Sequence, residues 1–258
     1  MWETVSDVLC VSGWVLLGAV GGTIALGVAY FVFICLCGLF VNTKKEYDKN
    51  SPFYRFLINS LTVIALWILQ VKVHVTGKEK IPTDERYVLV SNHRSNFDPI
   101  VKMRVLLSHK LAFISKASNF KIPFFGRIIR KLCFMEIDRE NPRNAIKTID
   151  RAAKLIKADE VSVGVYPEGT RSKTGELLPF HNSVFKIAQR ANVPIVVCAL
   201  RGTENIHKRT PWRRTHVYID VLEVISKEEV AALRTVELGE RIRAEISENL
   251  EKAEAENK

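Results

Sequence analysis

Tyr87-Val88-Leu89-Val90-Ser91-Asn92-His93-Arg94-Ser95-Asn96-Phe97-Asp98-Pro99 passes from an apolar run, through a polar loop, to a helix-start signal. Tyr87–Ser91 is short, continuous and valine-rich, the pattern of a strand buried on both faces. Asp98-Pro99 then opens a helix, because proline fits the first helical turn, where its missing N–H costs nothing. A buried strand feeding a helix through a short loop is the repeating unit of α/β folds. Outward from this stretch the same alternation recurs. Runs bounded by turn signals read as strands at Val71–Val75, Leu111–Ser115, Leu132–Ile137, Val161–Tyr166, Ile195–Leu200 and His216–Val224. Helical patterns fit Pro99–Leu107, Asn119–Arg130, Ser183–Ala191 and a segment starting at Asn141-Pro142, where Ala145, Ile146, Ile149, Ala152, Ala153 and Ile156 recur at helical spacing. The expected fold class is α/β, a mixed sheet covered by helices.

The chain has 258 residues and a net charge of +10, from 38 Lys+Arg against 28 Asp+Glu, a length that suits one core domain plus an appendage. A mean hydropathy of +0.04 is high for so basic a chain and means that apolar and charged residues are segregated. No charged residue occurs between Asp7 and Lys44. The apolar run Ser12–Val41 exceeds the roughly 20 residues a helix needs to cross a bilayer. A secretory signal peptide fits poorly, since Glu3 and Asp7 stand where a basic region is expected. One tilted span and a hairpin bent near Gly21-Gly22 are both open, with the single span favoured. Lys44, Lys45 and Lys49 follow it, which puts the remainder on the cytoplasmic face of a cell membrane. A second apolar stretch, Phe56–Val71, reaches only about 24 Å at the helical rise of about 1.5 Å per residue. Flanked by Arg55 and Lys72, it suits a helix lying on an anionic leaflet. The expected organisation is a membrane anchor over 1–72 (transmembrane helix about 12–41, interfacial helix about 53–71), an α/β domain over 73–225 and a C-terminal charged helix over 226–258.

Setting aside Glu3 and Asp7 raises the net charge of the remainder from +10 to +12. Such basicity suits anionic membrane lipids, an acidic carrier protein, nucleic acid or a phosphorylated substrate, and it also serves plain solubility. Zinc-finger spacing, an RNP aromatic motif and a heptad-supported basic region are all missing from the sequence, so nucleic acid is not an expected partner. Cys10, Cys35 and Cys37 lie in or beside the membrane segment, and Cys133 and Cys198 lie in apolar runs. None forms a Cys-x-x-Cys pair, which points to inert thiols in a reducing compartment. No metal-ligand cluster is legible either.

Three constellations carry chemistry, each directly after a predicted strand. In the first, His93 and Asp98 stand about 140° apart if both are helical, so they meet only if His93 ends the strand and Asp98 begins the helix. A histidine oriented by a carboxylate is a general base toward an alcohol. Asp98 before Pro99 is also a good helix cap on its own account. The second is Tyr166-Pro167-Glu168-Gly169-Thr170-Arg171-Ser172, whose glycine, hydroxyls and guanidinium suit a phosphate monoester; a solvated surface loop would read the same way. The third is Lys116 to Arg139, with Gly126 inside it. Lys116 and Arg139 each follow a strand, and cations converging at one sheet edge attract an anionic ligand in open α/β folds.

Asn92-His93-x4-Asp98-Pro99 followed by Tyr166-Pro167-Glu168-Gly169-Thr170-Arg171-Ser172 resembles the glycerolipid acyltransferase family, over about Val73 to Leu200. Val193-Pro194-Ile195-Val196-Val197 matches a further motif of that family without its second proline, and Tyr166 stands where phenylalanine is usual. The resemblance implies that His93 and Asp98 are the catalytic pair. It implies that Glu168, Gly169, Thr170 and Arg171 bind the acceptor's phosphate, with Lys116, Gly126 and Arg139 as further contacts. The implied reaction moves an acyl group from a thioester, acyl-CoA or acyl carrier protein, to the sn-2 hydroxyl of lysophosphatidate, giving phosphatidate. It needs no cofactor, no metal and no covalent acyl-enzyme. Glycerol-3-phosphate or another lysolipid is an alternative acceptor, and a non-catalytic protein that binds anionic lipid is the alternative outside the enzymes.

Overall fold

The computed structural model describes residues 2–138, 142–172, 174–210 and 213–255. Seven strands form one sheet: β1 (Val71–Thr76), β2 (Val88–Ser91), β3 (Leu111–Lys116), β4 (Met135–Ile137), β5 (Ser162–Val165), β6 (Ile195–Arg201) and β7 (Thr215–Ile225). Their order is β1-β7-β6-β2-β5-β3-β4. The five strands from β6 to β4 are mutually parallel, β7 runs antiparallel to β6, and β1 runs parallel to β7. The mixed α/β sheet is therefore as expected, and each strand run overlaps an observed strand. β4 is shorter than its run. Leu132 belongs to a 3-10 turn over Ile129–Leu132, and Cys133 takes φ 61°. A buried apolar run looks alike in a strand and in a covered turn.

β2, β5 and β6 are the center of the core; all four residues of β2 and of β5 are buried. Helix α3 (Asp98–Val105) follows β2, and α6 (Pro142–Lys157) covers the sheet with Ile149, Ala152, Ala153 and Ile156. Asn141, the expected cap of α6, lies outside the described residues. The helix expected over Asn119–Arg130 is instead broken into α4 (Ala117–Phe120) and α5 (Phe125–Ile128). Pro123 disfavours a helical residue before it, and Phe124 adopts φ 58°. The expected helix Ser183–Ala191 is a 3-10 turn over Asn182–Phe185 followed by α7 (Lys186–Ala191). A short α8 (Ile206–Arg209) precedes β7. The charged tail also divides, into α9 (Lys227–Ala232), opened by a Ser226/Glu229 capping box, and α10 (Thr235–Ala255), whose Leu238, Ile242, Ile246 and Leu250 enter the core.

The N-terminal apolar run is one continuous helix, α1 (Trp2–Leu39), not a hairpin turned at Gly21-Gly22. Its stretch Cys10–Leu39 is long and apolar enough to cross a membrane, with a mean hydropathy of 2.2. Only the C-terminal end of α1 touches the domain. Ile34 is buried, Tyr30 Oη lies 2.5 Å from Ser60 Oγ, and Tyr54 Oη donates to the Cys37 carbonyl at 3.0 Å. Helix α2 (Pro52–Ile68) has two faces: Leu57, Ile58 and Leu66 are buried, while Phe56, Trp67 and Ile68 are exposed. Arg55 fastens it to the sheet, donating to the carbonyl of Leu111 at 3.0 Å and to Asn50 Oδ1 at 2.6 Å.

Candidate active site

Because β6, β2, β5, β3 and β4 are parallel, the segments that leave them emerge along one edge of the sheet. His93 follows β2, the Tyr166–Arg171 stretch follows β5 beside it, and Lys116 ends β3 one strand further on. Strands spaced about 4.8 Å apart put Lys116 about 10 Å across from β2. Arg139, expected at the end of β4, lies outside the described residues. Asn92 fixes the exit of β2: its side-chain amide donates to the Leu200 carbonyl at 2.8 Å and accepts from the Leu200 N–H at 2.8 Å. The loop therefore starts from a point locked to β6.

His93 and Asp98 meet. His93 Nδ1 lies 2.7 Å from Asp98 Oδ2. The same oxygen accepts the backbone N–H groups of Arg94 at 2.7 Å and Ser95 at 2.9 Å, and Oδ1 accepts the Thr203 hydroxyl at 2.5 Å. Asp98 is completely buried, yet surrounded by donors, which is what permits a buried carboxylate. Its carboxylate turns back toward the loop; Phe97, without a side-chain cap, precedes the first residue of α3, so Asp98 does not cap the helix. With Oδ2 accepting, Nδ1 carries the imidazole hydrogen and Nε2 keeps its lone pair. The His93 side chain is 18% exposed, enough to meet a ligand.

Glu168 joins the two motifs. It is 3% exposed. Its Oε1 accepts the His93 N–H at 2.6 Å and its Oε2 accepts the Leu178 N–H at 3.0 Å. Burial pushes its carboxyl pKa up, while these two amides pull it down. The expected contact with a substrate phosphate does not fit this geometry, since both oxygens hold backbone and a carboxylate repels an anion. Ser172 closes the link by donating its N–H to the His93 carbonyl at 3.0 Å. Tyr166 adds a ring stacked on His93, centroids 4.2 Å apart and planes 18° apart.

The cations stand around this frame. Thr170, Arg171 and Lys116 are exposed. Among the described residues neither Arg171 nor Lys116 enters an ion pair, so both are available to an anion. The glycines serve backbone geometry. Gly169 takes φ 68° where the loop turns. Gly126 is buried, and a Cβ there would sit 2.5 Å from the Phe120 carbonyl oxygen, so it lets α4 and α5 cross closely. Sequence reasoning missed Thr203, which lies 105 positions from the carboxylate it touches. It also missed Lys102, at 1% exposure beneath the site. An i+4 spacing from Asp98 was the one available signal for Lys102.

What the arrangement can do is take a proton at Nε2 from a hydroxyl while an anionic group on the same molecule rests on the cations. The chain is similar to known acyltransferases. The profile of the Acyltransferase family matches residues 72–201. A chloroplast 1-acyl-sn-glycerol-3-phosphate acyltransferase of Brassica napus is 35% identical over 61% of this chain and 45% of its own. The 1-acyl-sn-glycerol-3-phosphate acyltransferase of Haemophilus influenzae is 30% identical over 57% of this chain and 63% of its own. The chain thus spans about half to two thirds of the length of these relatives. The crystal structure of the 1-acyl-sn-glycerophosphate acyltransferase of Thermotoga maritima has the same fold, with a TM-score of 0.66, 24% identity, and coverage of 88% of this chain and 89% of that one.

Proposed function

The chain belongs to the acyltransferase family, and from that premise we propose that it transfers an acyl group from a thioester to the sn-2 hydroxyl of lysophosphatidate, giving phosphatidate. The observation that carries this reading is the His93–Asp98 contact of 2.7 Å, which occupies Nδ1 and leaves the lone pair on Nε2. His93 Nε2 takes the hydroxyl proton as the alcohol oxygen attacks the thioester carbonyl. The tetrahedral oxyanion collapses, the C–S bond breaks, and the leaving thiolate takes the proton back from Nε2. Asp98 holds the tautomer and stabilises the imidazolium between these steps. No acyl-enzyme forms, and no step requires a cofactor or a metal ion.

Arg171 and Lys116, with Arg139, hold the acceptor's phosphate and so position its hydroxyl, an effect worth several kcal/mol. Glu168, Gly169 and Gly126 act indirectly, through the backbone they shape. The acyl donor is acyl-CoA or acyl carrier protein, either of which a basic surface attracts. Helix α1 holds the domain in the membrane with Lys44, Lys45 and Lys49 on the cytoplasmic side, and α2 lies along the lipid surface with Phe56 and Trp67 toward it. Both substrates of the reaction then lie in or beside the same leaflet.

A mass-resolved transfer assay offering lysophosphatidate and glycerol-3-phosphate, each with acyl-CoA and with acyl carrier protein, tests this. The expected product is phosphatidate, with His93→Ala slowing turnover by roughly 10³-fold or more and Arg171→Ala raising the KM for lysophosphatidate. Acylation of glycerol-3-phosphate alone, or a His93→Ala protein of near-normal rate, overturns the assignment.

A further inference from the structure

We propose that Thr203 is a positioning residue: its buried hydroxyl, on the turn that follows β6, holds the Asp98 carboxylate in the orientation that aims His93. The inference rests on the function proposed above.

Asp98 receives its hydrogen bonds from two separate parts of the chain. Oδ2 takes the His93 ring and the N–H groups of Arg94 and Ser95, all within five positions of Asp98 in its own loop. Those bonds tie the carboxylate to the loop, and loop and carboxylate could still shift together. Oδ1 takes one donor among the described residues, the Thr203 hydroxyl at 2.5 Å, and that donor comes from the end of another strand. Thr203 and Asp98 are both 0% exposed, so bulk water cannot take the place of either partner.

Thr203 is itself held. It opens a 3-10 turn, Thr203–Asn205, directly after β6. Gly202 before it takes φ 92°, and a Cβ there would sit 2.3 Å from the His216 carbonyl oxygen, so the turn lies hard against β7. Arg201 pairs with Tyr218 in the ladder between the same two strands. The hydroxyl therefore issues from a rigid frame, and the carboxylate is pinned at one oxygen by its loop and at the other by the sheet. With both oxygens held, the carboxylate cannot rotate, and its plane sets the direction of the bond to His93 Nδ1. A buried hydroxyl needs an acceptor, and among the described residues this one bonds no other atom than the catalytic carboxylate. Without it Oδ1 loses its donor, the carboxylate turns, and Nε2 swings out of line with the alcohol. Arg171 and Lys116 stand on other segments, so the hold on the acceptor's phosphate is unchanged. The loss then falls on turnover and not on binding.

The test is steady-state kinetics of the full chain in lipid vesicles, with lysophosphatidate and whichever thioester the wild type uses, run beside thermal unfolding. Thr203→Val keeps the shape and removes the hydroxyl. Its kcat is expected to fall roughly 10- to 100-fold, with the KM for lysophosphatidate within about twofold of wild type. Thr203→Ser keeps the hydroxyl and drops the methyl group, and is expected to hold kcat within a few-fold of wild type, which a packing role would not produce. In a His93→Ala background, where no imidazole remains to be aimed, Thr203→Val is expected to change the residual rate by no more than about twofold. Thr203→Ala provides the same readouts should the valine variant fold poorly. A hydroxyl-free variant that melts like wild type with an unchanged kcat overturns the inference. So does a serine variant as slow as the valine one, or a valine effect undiminished in the His93→Ala background. A His93→Ala protein of near-normal rate overturns the proposed function and this inference with it; an essential His93 beside an indifferent Thr203→Val overturns this inference alone.

Discussion

At the scale of single residues, two side chains with the same charge and the same burial do different work. Asp98 has one histidine, two loop amides and one hydroxyl on its oxygens. Glu168 has two amides, that of His93 in the loop after β2 and that of Leu178 beyond the Tyr166–Ser172 stretch. Removing Glu168 leaves the His93 and Leu178 N–H groups without an acceptor, at about 1–3 kcal/mol each. It also relieves the burial cost that pushes this carboxyl pKa up. The two effects oppose one another, so Glu168→Ala is expected to melt within a few degrees of wild type. Its turnover is expected to fall about 100-fold, because a loop displaced by about 1 Å misaligns the base. A melting curve and a kcat measurement on the same sample check both halves; an unchanged kcat removes the strut role. The His93–Asp98 contact was legible in the sequence because the spacing of the two residues has a chemical meaning. Thr203 and the inward turn of Glu168 were not, since a contact across 105 positions leaves no local trace.

At the scale of elements, the strands were legible because a run buried on both faces is apolar without interruption, and β2, β5 and β6 are such runs. Helices read less well where backbone geometry overrides composition. Asn119–Arg130 has helical composition, yet Pro123 and the positive φ of Phe124 fold it into two short turns that cross at Gly126. A methyl group at Gly126 would lie 2.5 Å from one carbonyl oxygen and 2.8 Å from another, both backbone atoms that cannot swing aside. Gly126→Ala therefore forces α4 and α5 apart. The expected destabilisation is about 2–3 kcal/mol, or roughly 5–10 °C in Tm. Because this turn carries no group on the reacting atoms, activity per folded molecule should stay within a few-fold of wild type. Thermal unfolding followed by kinetics corrected for the folded fraction separates the two; a large loss of kcat/KM at unchanged Tm would return Gly126 to the substrate.

At the scale of the whole molecule, the surplus of positive charge and the uncharged N-terminal run set limits on each other. The sequence showed that the two are segregated, but not where the anchor stops and the domain begins. The packing locates that transition inside α1. Residues from Val11 to Phe33 expose most of their large side chains, whereas Ile34 and Val41 are 2% exposed and rest against the domain. Cys37 accepts the Tyr54 hydroxyl, and Gly38 lies 3.4 Å from the Phe124 backbone by the position its Cβ would take. The last turns of α1 therefore pack on α5 and on Tyr54 and Ser60 of α2. Two truncations follow with different outcomes. Deleting residues 2–27 removes a stretch whose described side chains, from residue 10 onward, are all exposed. That protein should keep its Tm, lose most of its retention on vesicles of neutral lipid, and keep a residual, salt-sensitive affinity for anionic vesicles through its basic surface. Deleting residues 2–41 also removes buried Ile34 and Val41 and uncovers the α5 and α2 surface they rest on, which at about 25 cal/mol per Å² of apolar surface is worth several kcal/mol. That protein should melt lower and aggregate. Vesicle sedimentation at low and high salt, run beside thermal unfolding for both truncations, measures the difference; equal stability of the two would mean that the whole of α1 is anchor and none of it is domain.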